Sequence, residues 1–188
     1  MGHVFETDRL LVREWTEEPA DLARVYDMLS RWEVARWLGA RPRALEDPAE
    51  ARATVRRWRS RATADGRHGV WAVTTKQDKP VGTVLVVPLP GPDDRPTADI
   101  EVGWHLHPDS WGNGYATEAA RAAIDREFAA GATEVYAVMR EGNAGSAAVA
   151  RRLGMTPIGI RTRWYGGIPL DTYRLAAKTR PHESRPSH

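Results

Sequence analysis

Residues 108–118 read PDSWGNGYATE: two glycines flank an asparagine, and a helix-forming run follows at once. Without a Cβ at Gly112 and Gly114, a ligand can approach the backbone closely. The free N–H groups of a helix N-terminus and its dipole attract anions, and Thr117 adds a hydroxyl in the first turn. A pyrophosphate suits such a turn. The Gly-Lys-Ser/Thr ending of a nucleotide P-loop is absent, and so is the third glycine of a dinucleotide fingerprint. Pro108 stands where a nucleophile elbow needs glycine, so Ser110 is not that nucleophile. Two glycines alone equally suit an ordinary turn that opens a helix. His105 and His107, two apart on a strand, share a face and could chelate zinc, but no third ligand accompanies them and no metal is expected.

The elements around this turn are legible from periodicity. FETDRLLVREW (5–15) predicts a first strand. Leu22, Val25, Tyr26 and Leu29 recur at helical spacing in the segment that runs on to WEVARWLG. In DPAEARATVRRWRSRA, Asp47 can cap a second helix, Pro48 fits its first position and Glu50 completes a capping box. Ala51, Val55, Trp58 and Ala62 form that helix's apolar stripe. VWAVTT (70–75) and VGTVLVV (81–87) are β-branched strands. TADIEVGWHL then alternates, with Ile100, Val102, Trp104 and Leu106 on one face and Asp99, Glu101, Gly103 and His105 on the other. Beyond the turn follow a helix with Ala116, Ala119, Ala120, Ala123, Ile124 and Phe128 on its buried side, and the strand TEVYAVM. A short helix, NAGSAAVARRLG, stops at Gly154, and a final hairpin turns at Gly166–Gly167. The order predicts a mixed α/β (α+β) domain, largely antiparallel at first, with one strand–helix–strand crossover later. Residues 1–178 read as one domain and 179–188 as a polar, disordered tail.

Composition limits the function. No cysteine is present, which excludes disulfides, thiolate metal sites and a cysteine nucleophile. Lys+Arg is 27 against Asp+Glu 25, too balanced to suggest a nucleic-acid partner. The arginines of RRWRSR (56–61) read first as a solvated helix face, and second as a grip on an anion. No apolar run reaches the roughly 20 residues of a membrane span, and the N-terminus lacks the zones of a signal peptide, so a cytoplasmic location is expected.

WGNGYATEA, preceded by EVGWHLHPDS and followed by REGNAGSAAVARRLGM, resembles the GCN5-related N-acetyltransferases (GNAT), and within them the RimJ/RimL branch. ETDRLLVRE and WEVARWLG resemble the same branch, so the likeness spans the chain apart from its tail. It implies a mostly antiparallel sheet flanked by helices, with a splayed strand pair that holds acetyl-CoA. Trp111, Gly112, Asn113, Gly114, Tyr115, Ala116 and Thr117 then correspond to the pyrophosphate cradle, with Trp111 in place of the usual Arg or Gln. Trp104, His105 and Leu106 would pair through their main chain with the pantetheine arm, and Asn143 would contact it; Asn143 is equally a good helix N-cap.

The implied chemistry is direct acyl transfer to a primary amine in a ternary complex, without a covalent enzyme intermediate. The ammonium must lose a proton before attack, the carbonyl oxygen needs a donor, and so does the leaving sulfur. By the resemblance Glu101 is the first candidate for the base; a solvated strand carboxylate is the plain alternative, and His105 is the second candidate base. The tyrosine with which many members protonate the sulfur maps to Ala150, so Ser146 takes that role, with Tyr173 behind it. Trp32, Trp37, Trp58 and Trp164 belong chiefly to the core, and one or two could wall the acceptor groove. The expected acceptor is a protein or peptide α-amino group. The alternatives are a small amine (amino acid, polyamine or antibiotic) or a non-catalytic acetyl-CoA-binding module. Neither nucleic acid nor membrane is an expected partner, and a homodimer is left open.

Overall fold

The computed structural model describes residues 2–178; the tail assigned to 179–188 lies outside the described residues. Eight strands form one sheet: β1 (His3–Glu6), β2 (Leu10–Glu14), β3 (Gly69–Thr75), β4 (Pro80–Pro90), β5 (Pro96–Leu106), β6 (Glu134–Met139), β7 (Thr156–Arg161) and β8 (Leu170–Ala176). Their spatial order is β1-β2-β3-β4-β5-β6-β8-β7, antiparallel throughout except for the β5–β6 pair. The helices are α1 (Pro19–Leu29), α2 (Trp32–Ala35), α3 (Ala49–Arg59), α4 (Tyr115–Ala129) and α5 (Ala144–Arg152). The expected mixed α/β architecture is therefore present, with β5–α4–β6 as its crossover. No helix among the described residues is long and apolar enough to cross a membrane.

Alternation along the strands builds a core on each face of the sheet. Trp71 and Val73 of β3 join Leu10, Val12, Val84, Val86, Val102 and Leu106 beneath α4 and α5. Val70 and Ala72, one residue out of phase, join Trp15, Val25, Met28, Val55 and Trp58 beneath α1 and α3. β3 is thus buried on both sides, as a central strand must be. By the same phase Glu101 and His105 face the α1–α3 side, while Val102, Trp104 and Leu106 face α4 and α5.

Four sequence expectations need correction. The single strand over 5–15 is a hairpin, because Thr7 bonds across the turn to Leu10 through both its N–H and its hydroxyl. The first helix does not run into WEVARWLG: it closes at Ser30, and Arg31 is extended before α2. Ala62 lies beyond the end of α3 and is exposed, so the stripe ends at Trp58. The final hairpin begins earlier, at Thr156, although Gly166 and Gly167 do take the positive φ expected of the turn. The capping box forms as read: Asp47 Oδ1 accepts from Ala49 N–H at 2.8 Å and Glu50 Oε1 from Asp47 N–H at 3.0 Å.

Candidate active site

β5 pairs with β4 along most of its length but with β6 only at Glu101–Tyr136. Beyond that contact the two strands part, which leaves the Gly103–Leu106 edge of β5 without a strand partner. A cleft of about 1420 Å³ opens there. Trp104, His105 and Leu106 line it from β5, and Trp111, Gly112, Gly114, Tyr115, Ala116 and Thr117 from the turn into α4. Asn143 and Ser146 line it from the start of α5, and Glu101 lines it where the strands begin to part. Two helix N-termini therefore border one cleft, so both dipoles favour an anion there.

Gly112 and Gly114 have φ of +77° and +79°, left-handed values that disfavour any side chain. A Cβ at Gly112 would meet nothing within 4 Å, so the backbone there lies open to a ligand. Asn113 is the exception among the turn residues. Its side chain folds back, Nδ2 donating to the carbonyls of Ser110 (3.2 Å) and Trp111 (3.1 Å), and it does not line the cleft. Asn143 caps α5, its Oδ1 accepting from Ser146 N–H at 3.1 Å. The Ser146 hydroxyl has no hydrogen bond among the described residues, so it is not tied to its own backbone.

Side chains from distant segments hold the turn. Arg9 donates to the Asn113 carbonyl (3.1 Å), pairs with Glu118 (2.6 Å) and lies over the Tyr115 ring at 5.0 Å. On the other side, His107 Nε2 stands 2.9 Å from Asp27 of α1, and its Nδ1 accepts from Asp109 N–H. Arg24 grips Asp109 in a two-pronged ion pair (2.7 and 3.1 Å) and holds that carboxyl well below its ordinary pKa. His107 is thus a structural tie rather than half of a metal pair. Among the described residues no three metal-ligating side chains stand together.

Glu101 is 7% exposed and is not a solvated strand carboxylate. Burial pushes its pKa up to about 7, opposed by a hydrogen bond from the Tyr165 hydroxyl and by the charge of Arg61. Tyr165, also in the cleft, has φ of +50°, a costly value for a bulky residue. Its hydroxyl pKa is raised by burial and by Glu101, so it stays a donor. Burial pulls His105 down to about 4; its ring packs 5.6 Å from Trp58, and its Nε2 is buried without a partner.

Other expectations separate here. Ala150 is wholly buried in the core and offers no donor. Tyr173, 8% exposed, lies outside the cleft, its hydroxyl 3.3 Å from an Arg151 nitrogen, and it is withdrawn as a candidate donor. Trp37 and Trp58 wall the cleft, as do Trp104 and Trp111; Trp164 is core and Trp32 is exposed outside it. Sequence reasoning missed Tyr165, which no local pattern marks because a separate hairpin delivers it. It also missed Arg9 and the Asp27–His107–Asp109–Arg24 network, which form only across the fold.

Comparison with known proteins agrees with this geometry. The family "Acetyltransferase (GNAT) domain" matches residues 9–156. A curated relative, the "Uncharacterized N-acetyltransferase YoaA" of Bacillus subtilis (strain 168), is 25% identical over 177 residues, 92% of this chain and 94% of its own. Among solved structures, a GNAT-family acetyltransferase from Bacillus anthracis superimposes with a TM-score of 0.70 at 20% identity, covering 91% of this chain and 96% of that one. An acetyltransferase from Salmonella typhimurium, described as modifying the N-terminal serine of ribosomal protein L7/L12, gives 0.71 at 16% identity, over 93% and 99%. RimL, the L7/L12 α-N-acetyltransferase solved with coenzyme A, gives 0.72 at 16% identity, over 93% and 97%. At these identities the structures establish a shared fold, whereas the family match runs through both bordering helices and the turn between the strands. The chain belongs to the GNAT acetyltransferase family.

Proposed function

We propose that this enzyme acetylates the N-terminal α-amino group of a peptide or protein, with Glu101 as base and Ser146 as donor to the leaving sulfur. Acetyl-CoA, the family's co-substrate, supplies the thioester that is cleaved. Its phosphates suit the open backbone at Gly112–Thr117, and its arm suits the edge of β5 that has no strand partner, where the Leu106 carbonyl accepts from Trp111 Nε1 at 3.0 Å. Arg9 positions the turn; Arg9→Ala is expected to raise the acetyl-CoA Kd about fivefold and to lower thermal stability only slightly, since its contacts to Glu118, Asn113 and Tyr115 are made by a half-exposed side chain. Calorimetric titration checks it.

The buried carboxyl of Glu101, at the point where the strands part, carries the proposal. Its oxygens accept the proton that the acceptor ammonium must lose, and the amine lone pair is then free to attack. Backbone N–H groups on the β5 edge provide donors for the carbonyl oxygen. A base near 7 lies about one unit below a peptide α-amine but more than three below a lysine, roughly 1.4 against more than 4 kcal/mol of proton-transfer cost. This gap favours an α-amino acceptor. His105, pulled to about 4, is the weaker base. The activities of the Salmonella and RimL neighbours point the same way.

Ser146 completes the assignment, since its hydroxyl is uncommitted and faces the cleft. Ser146→Ala is expected to lower kcat about tenfold while the acetyl-CoA Kd changes less than twofold. Unchanged kcat removes Ser146 from the mechanism. The proposed activity itself is tested by thiol release from acetyl-CoA with peptides of varied first residue and with small amines. Peptide-dependent release supports it; release with small amines alone moves the function to small-molecule acetylation.

A further inference from the structure

The cleft is bordered by arginines whose charges are not matched inside it. Arg36, Arg41, Arg57 and Arg61 line it, and none of the four forms an ion pair among the described residues. Their neighbours are committed: Arg43 to Glu50, Arg31 to Asp27, and Arg52 and Arg56 to Glu17. Arg140 donates to the carbonyls of Gly39 and Ala40. The acidic residues of the lining are also committed: Glu50 to Arg43, Glu33 to Arg31 at 3.9 Å, and Glu101 to Tyr165. The wall formed by α2, α3 and the chain between them therefore carries net positive charge.

Helical phase explains how one arginine run serves two purposes. Arg52 and Arg56, four apart on α3, turn to Glu17, whereas Arg57, the next position round, and Arg61, in the turn just past the end of α3, line the cleft. Arg61 stands at the acceptor end, and Arg57 precedes it by about one helical turn. Arg61 acts electrostatically on both Glu101 and Tyr165. Glu101 stands five residues before Leu106 on an extended strand, about 16 Å along β5, and the phosphate turn lies further still. A second acceptor charge of positive sign would be repelled here, which disfavours polyamines and aminoglycosides.

Building on the proposed acetyl transfer, we propose that the acceptor is a peptide N-terminus with acidic side chains in its first few residues, recognised by Arg57 and Arg61. A peptide fits better than a compact phosphate because the unmatched arginines come from several elements, with Arg36 following α2, Arg41 in the chain beyond it, Arg57 on α3 and Arg61 just past it, while Arg152, also without an ion pair among the described residues, lines the cleft from α5. Aspartate or glutamate after the first residue would meet the arginines while the α-amine meets Glu101.

The test compares two peptides of equal length, Ser-Asp-Glu and Ser-Asn-Gln at the N-terminus, by thiol release at low salt. The acidic peptide is expected to have a kcat/KM about tenfold higher, with the advantage shrinking as salt is added. Arg57→Gln with Arg61→Gln should erase that preference through KM and leave the acetyl-CoA Kd unchanged. Arg57→Lys with Arg61→Lys should retain most of it, which separates charge from folding. Equal kcat/KM for the two peptides overturns the proposal. So does a preference that survives the double glutamine variant, a loss of acetyl-CoA affinity in that variant, or a stronger preference for free amino acids or aminophosphonates. If no acceptor turns over, the acetyl-transfer reading fails, and charge recognition is read separately by titrating both peptides into the acetyl-CoA-saturated protein. Binding of the acidic peptide alone upholds recognition; binding of neither or of both overturns it.

Discussion

Glu101→Gln is expected to lower kcat about a thousandfold while the acetyl-CoA Kd stays within about twofold, the range of a positioned general base. Glutamine keeps the shape and still accepts from the Tyr165 hydroxyl, but it takes no proton at neutral pH. In the native enzyme kcat should rise with pH through about 7, as the carboxyl ionises. The substitution should remove that limb. Stability should move oppositely. The carboxyl is raised from 4.5 to about 7, so between these values the unfolded chain sheds a proton that the folded chain retains. Native stability therefore falls as pH rises through this window, by about 3 kcal/mol in all, and the loss is complete above about 7. Glu101→Gln escapes it, so melting curves at pH 5 and pH 8 should show the variant gaining on the native protein at the higher pH. An unchanged kcat or a flat stability difference contradicts the assignment.

Gly112→Glu should weaken acetyl-CoA binding by more than a hundredfold. A carboxylate about 5 Å from a phosphate charge costs roughly 3 kcal/mol at an effective dielectric near 20. Gly112 is the better position because a Cβ there meets nothing within 4 Å, whereas one at Gly114 lies 3.5 Å from an Arg9 nitrogen that would neutralise the new charge. Gly112→Ala is the control. It bears the same left-handed strain, roughly 1–2 kcal/mol, without the charge, and should lose only a few-fold in affinity. Equal losses in the two variants would mean that backbone distortion, not phosphate repulsion, is responsible.

The glycine turn that opens α4 was legible because its signals are local: two glycines, which take positive φ, a helix start and a hydroxyl all fall within six residues. The face of Glu101 was legible from strict alternation, but its burial was not, since it depends on segments distant along the chain, among them the turn of the last hairpin that carries Tyr165. Tyr165 lies 64 positions away, and no pattern in the sequence links it to Glu101. The arginine run illustrates the same limit differently. Its sequence shows one basic patch, whereas one helical step divides it between Glu17 and the cleft, and the position of Glu17 depends on the fold. Tyr173 was read onto the correct strand, but not its position outside the cleft: β8 lies between β6 and β7, and the Tyr173 hydroxyl turns to Arg151.

The most direct measurement uses one peptide with a free N-terminus and an internal lysine, incubated with acetyl-CoA and enzyme, its acetylated nitrogen located by fragmentation mass spectrometry. Acetyl on the α-nitrogen alone, and no transfer when that nitrogen is blocked, is the predicted result. Acetyl on the lysine, or transfer that persists after blocking, would contradict the α-amino assignment.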